Sequence, residues 1–176
     1  MRKAPTAGLA VLGTVAALVL GFAVSGLASS SSTGAQFAGT SEETSESTTE
    51  SPKPTKWVAT LTGGAEVPKP KGVKQGAGGT FTVTVTEQGG AYTASFKLFY
   101  RKLTGKAVAA HVHKGKPGKA GPVVLSLCGP CTNGKSGKAA VSKAVVDAMK
   151  AGAAYVNVHT ARNAAGEIRG QVKKIG

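Results

Sequence analysis

Acidic side chains are scarce in this sequence: 8 Asp and Glu stand against 22 Lys and Arg in 176 residues, for a net charge of +14. Residues 1–56 are neutral, with Arg2, Lys3, Lys53 and Lys56 offset by Glu42, Glu43, Glu46 and Glu50, so residues 57–176 carry the whole excess beside only Glu66, Glu87, Asp147 and Glu167. So few carboxylates leave little to support a cation site and favour anionic counterparts. Aromatics make up 5 %, and those from Trp57 onward sit in strand-like runs, which gives no support to the basic, aromatic-rich pattern of sequence-specific nucleic-acid readers. Cysteine is nearly absent as well. Cys128 and Cys131 are the only two, too far along the chain for a lipid anchor at a signal cleavage point. There is no internal repeat, and the length suits one core with appendages.

What is present first is an export signal. MRK precedes GLAVLGTVAALVLGFAVSGLA (8–28), a basic start followed by a long apolar run ending in small residues. At about 20 residues it is also long enough to cross a bilayer, so 1–28 is expected to be a signal peptide or an N-terminal membrane anchor. Either way the remainder faces outward, secreted or tethered to the cell membrane. Residues 29–51 hold 13 Ser or Thr and four glutamates, too polar to offset their ordering entropy. Residues 29–56 are therefore expected to be a disordered linker of roughly 30 Å mean span.

From Trp57 onward the hydrophobic period is two. FTVTVTE (81–87) and AYTASFKLFY (91–100), joined by QGG, predict a hairpin. Further strands are predicted at 57–61, 107–113, 122–127, 138–142, 154–160 and 167–175, each bounded by Gly, Pro or Asn. SKAVVDAMKAG interrupts them with one short helix at about 143–151, capped by Ser142 and ended by Gly152, with Ala144, Val145, Ala148 and Met149 on its apolar face. The expected fold of residues 57–176 is all-β: an antiparallel Greek-key sandwich or barrel of about eight strands with that helix.

Three features invite chemistry. His111 and His113 share a strand face about 6.7 Å apart, with Ala110 and Val112 turned to the core; Tyr155, Asn157 and His159 form a similar face in YVNVHT. If the two strands are neighbours, three neutral imidazoles suit Cu or Zn. Against a metal stand Lys114, Lys116 and Lys119, and the alternative is three structural histidines. CGPC (128–131) has the spacing of a thiol oxidoreductase, but TNGKSGK follows it where that chemistry needs a helix N-terminus. A structural disulfide between Cys128 and Cys131, worth about 2 kcal/mol for so short a loop, or a Cys-ligated metal are the other readings. The lysines Lys114, Lys116, Lys119, Lys135 and Lys138 are candidates for contacting an anion. Glu167 and Arg169 share a strand face and can form a structural pair, with Gly166 and Gly170 allowing close backbone approach.

LTGGAEVP (61–68), AHVHKG followed by GPVVLSL, and YVNVHTARNAAGEIRGQV (155–172) together resemble a CHRD (chordin-type) domain over about residues 57–174. The resemblance implies an all-β extracellular module that works by binding or as structure, without catalytic residues. An anionic cell-wall polymer, an acidic glycan or an extracellular protein would be its partner, met through the basic loops. The Lys114-Gly115-Lys116-Pro117 continuation is more basic than the family pattern, and CGPC is not part of it. The His-x-His strand is also similar to the copper-binding strand of Cu/Zn superoxide dismutases, which leaves a copper or zinc oxidoreductase as the alternative function.

Overall fold

A computed structural model describes residues 51–176. The predicted signal or anchor, and the linker up to residue 50, lie outside the described residues. The strands are β1 (Pro54–Thr62), β2 (Gly78–Gln88), β3 (Ala91–Arg101), β4 (Ala107–Lys114), β5 (Val123–Cys128), β6 (Lys135–Val141), β7 (Ala154–Thr160), β8 (Ile168–Gln171) and β9 (Lys173–Ile175), with helix α1 at Lys143–Lys150. They form one antiparallel sheet in the order β5-β4-β7-β8-β1-β2-β3-β6, with β9 also on β1, curled into a nearly closed barrel. The all-β fold with one helix is the one expected.

Period-two patterning builds the core. Trp57, Ala59 and Leu61 of β1 face Phe81, Val83 and Val85 of β2 and Ala94, Phe96 and Leu98 of β3, all buried, while the intervening Thr and Lys turn outward. Helix α1 buries Val145, Val146, Ala148 and Met149; Ala144 is exposed, so the apolar face is rotated by one position from that expected. Ser142 occupies the N-cap, where its carbonyl rather than its hydroxyl accepts the first helical N–H groups. Gly152, at φ +65°, ends the helix with its N–H on the Met149 carbonyl.

One correction concerns the C-terminal strands. The single strand expected over 167–175 breaks at Val172, whose N–H bonds the Ala154 carbonyl; β8 lies on β7, and β9 passes to β1. Gly170 makes this crossing feasible, because a Cβ there would lie 2.3 Å from the Thr60 carbonyl oxygen. Strand β7 is buried along its whole length on both faces. Val156 and Val158 enter the core with Ala110 and Val112 of β4, as the alternation predicted. The opposite face of β4, β7 and β8 is covered by two loops. Residues 115–121 are tied down by Arg169 and Gln171, and Lys71 bonds Asn163 through both its N–H and its carbonyl.

Candidate metal centre

Strands β4 and β7 are direct neighbours. Their register sets Ala109 opposite His159, His111 opposite Asn157 and His113 opposite Tyr155, so all three histidines lie on the covered outer face. The pairing of β4 with β5 shifts register immediately before each histidine, between Ala110 and His111 and between Val112 and His113. Such shifts re-aim side chains next to functional sites.

One ring nitrogen from each of His111, His113 and His159 lies within 4.8 Å of the other two. His111 Nδ1 and His159 Nε2 are 3.1 Å apart. A tetrahedral zinc with Zn–N bonds of about 2.0–2.1 Å has an N–N edge of roughly 3.3 Å, so that pair already has the right separation. The third nitrogen needs to close by roughly 1.5 Å, within the reach of a side-chain adjustment.

The orientation of the rings comes from main-chain carbonyls. His113 donates from Nδ1 to the Gly121 carbonyl (2.8 Å), and His159 donates from Nδ1 to the Ala164 carbonyl (2.9 Å). In neutral imidazoles these bonds fix the proton on Nδ1 and leave Nε2 as a lone pair, the outer-shell arrangement usual for metal-ligating histidine. The scarcity of carboxylates, which in the sequence argued against a metal, therefore does not leave these rings unoriented. His113 Nε2 is buried with no hydrogen-bond partner. Burial lowers the pKa of His111, reinforced by the neighbouring charges of His159 and His113. Burial likewise lowers that of His159, against the Ala164 hydrogen bond. Both rings are thus biased to the neutral form that binds a metal. Lys114, Lys116 and Lys119 are all exposed.

Behind the histidines is a polar layer that the sequence did not reveal. The ring of His113 stacks on Tyr155 at 4.8 Å, and the Arg169 guanidinium lies over the Tyr155 ring at 3.4 Å from its centroid. Arg169 donates to the Lys116 and Lys119 carbonyls (3.1 and 2.9 Å), and the Tyr155 hydroxyl accepts from the Gly121 N–H (3.2 Å). The loop that orients His113 is therefore fastened by β7 and β8. Glu66 is buried beside Asn157 and Arg169; burial pushes its carboxyl up, against the Val67 N–H, the Arg169 charge and the Asn157 amide. Gly166, at φ +133°, admits this carboxylate, since a Cβ there would lie 2.3 Å from Glu66 Oε2. The only sequence signals for this layer were the shared face of Tyr155, Asn157 and His159 and the AEVP segment.

The expected Glu167–Arg169 pair does not form. Glu167 accepts from the Thr104 N–H and hydroxyl, the Thr160 hydroxyl and the Asn163 amide, while Arg169 is spent on loop carbonyls and Tyr155. Glu167 precedes β8, where the backbone is leaving the sheet alternation that the shared-face argument assumed. Cys128 and Cys131 are at disulfide distance, S–S 2.09 Å, and a turn rather than a helix leads from Cys131 into β6. The five candidate lysines divide between the β4–β5 region (Lys114, Lys116, Lys119) and β6 (Lys135, Lys138), all exposed except the half-buried Lys135.

No curated protein and no solved structure matches the chain. The CHRD domain model matches residues 57–172, from Trp57 in β1 to just past the end of β8, and the chain belongs to the CHRD domain family.

Proposed function

We propose that this protein is an exported CHRD module that binds copper or zinc through His111, His113 and His159. The buried, unpartnered Nε2 of His113, beside two other imidazole nitrogens, carries the reading. A buried lone pair with no donor costs free energy in the apo protein, and a metal ion removes that cost. Imidazole ligands suit Cu and Zn, and three of them leave a fourth position for water. The Cys128–Cys131 bridge fits an oxidising compartment, in keeping with the N-terminal export segment.

The module binds and does not turn over a substrate. The ring nitrogens meet one another and the Gly121 and Ala164 carbonyls, an arrangement suited to holding an ion. Untagged full-length protein, reconstituted and desalted, is expected to retain one Cu or Zn by mass spectrometry. His113→Gln is expected to retain little, and superoxide dismutation by the loaded protein should stay at the level of buffer. Failure of the wild type to retain either metal would refute the site; dismutation above background would refute the non-enzymatic reading.

A further inference from the structure

Across the barrel from the histidines lies a second surface. Strand pairing sets Lys56, Thr84, Ser95 and Lys138 opposite one another in one row over β1, β2, β3 and β6. The adjacent outward row is Val58, Thr82, Lys97 and Ser136. Between them Trp57, Val83 and Phe96 turn into the core, so the outer surface keeps a floor of sheet and short hydroxyl side chains. The result is an open groove of about 700 Å³ whose lining includes Lys56, Lys97 and Lys138 and is closed at one edge by Ile175. By strand spacing, Lys56 and Lys138 stand about 14 Å apart across it.

Among the described residues no Asp or Glu side chain lines this face. Of the four carboxylates in residues 57–176, Glu66 and Glu167 are buried against the other side, Asp147 pairs with Lys143 on α1, and Glu87 lies beside Tyr92 at the end of β2. Among the described residues no carboxylate pairs with Lys56, Lys97 or Lys138. Phe99, 46 % exposed, adjoins the groove with the Lys97 ammonium 4.9 Å from its ring centroid.

From this pattern we infer that the outer face of β1, β2, β3 and β6 is a docking surface for an anionic polysaccharide. The ammonium groups meet its carboxylates or sulfates, and the threonine and serine hydroxyls, which both donate and accept, meet its hydroxyls. Phe99 offers an apolar platform to a sugar face. A single exposed ring does not supply the succession of stacking platforms that a nucleic-acid strand requires. The β4–β5 region is a poorer candidate, because the groove that Lys114 borders there is smaller, about 190 Å³, and Val124, Ala144, Val145 and Ala148 make up most of its lining. The inference is independent of the metal centre.

The test compares two charge-matched triple variants of the full chain, Lys56→Ser/Lys97→Ser/Lys138→Ser on the face and Lys114→Ser/Lys116→Ser/Lys119→Ser on the loop. Binding is measured to heparin, alginate, neutral dextran and single-stranded DNA. All six lysines are exposed, so both variants should melt as the wild type does. Heparin and alginate should bind the wild type and dextran should not. The face variant should lose about a hundredfold, roughly fivefold for each charge, and the loop variant less than threefold. Phe99→Ala, which leaves the charge unchanged, should weaken alginate binding severalfold. Equal losses in the two triple variants would reduce the surface to net charge and overturn the proposal. So would binding of dextran, DNA bound more tightly than either polysaccharide, or alginate affinity unmoved by Phe99→Ala.

Discussion

Glu167 and Glu66, the two buried carboxylates, are both pushed up by desolvation, yet their net shifts are opposite. For Glu167, burial raises the pKa, but the donors on Thr104, Thr160 and Asn163, at 2.5–3.2 Å, outweigh it and hold the group below the ordinary carboxyl value. Glu66 has only the Val67 N–H at 3.0 Å as a close donor, and burial prevails. A depressed carboxyl contributes stability that is complete above the unfolded value, 4.5, and is lost as pH falls through the depressed one; a raised carboxyl favours the fold at low pH and loses that contribution as pH rises. Glu167→Gln should therefore cost about 3 kcal/mol in urea unfolding at pH 7, because hydrogen bonds to a charged acceptor are replaced by an amide that presents donors to donors. The deficit should shrink as pH falls through that depressed value, where wild-type Glu167 takes up its own proton. A deficit that stays constant as pH falls until the wild type itself unfolds would mean that the carboxylate charge does not contribute. Glu66→Gln should be close to neutral at pH 7.

At the scale of elements, the loop between β4 and β5 acts as a bracket for His113. Its Gly121 carbonyl fixes the ring, and Gly121 cannot carry a side chain without movement, since a Cβ would lie 1.8 Å from the Lys114 carbonyl oxygen. Gly121→Ala should displace that acceptor and lower zinc affinity about 10- to 100-fold, the usual cost of losing an outer-shell partner, while the circular dichroism of the barrel is retained. Competition titration against a chromogenic chelator measures this, and unchanged affinity would remove the bracket from the site. The sequence foretold the elements unevenly. Strand β7 was read to the residue, because its Val156/Val158 alternation is bounded by Gly152 on one side and the Asn163 turn on the other. The beginning of β6 at Lys135 was missed, since KSGK offers no apolar signal and is held in place by pairing with β3. That β4 and β7 are neighbours could not be read, because some forty residues, two strands and a helix separate them and nothing local encodes the pairing. The same gap concealed the convergence of His159 on His111. The carbonyls that orient the rings belong to Gly121 and Ala164, whose identity carries no sign of that role.

In the whole molecule the two proposed sites lie in chemically opposite surroundings, and ionic strength separates them. The histidines sit on a covered face with His113 and His159 each 8 % exposed, whereas the lysine rows stand in solvent. A metal that binds only the native barrel stabilises it by mass action, about 2.7 kcal/mol at a hundredfold excess over Kd. For a domain of this size that raises Tm by roughly 10 °C. Screening in 1 M salt shortens the Debye length to about 3 Å, which removes attraction between exposed charges and leaves a buried ligand set almost untouched. Calorimetry of the full chain in 0.1 M and 1 M sodium chloride, with zinc or with chelator, should therefore give nearly the same metal-dependent rise in Tm at both salts. Heparin binding by the same protein should be lost at the higher one. A zinc-dependent rise that disappears in 1 M salt would place the ion among exposed groups, and a rise that survives His113→Gln would place it away from the three histidines.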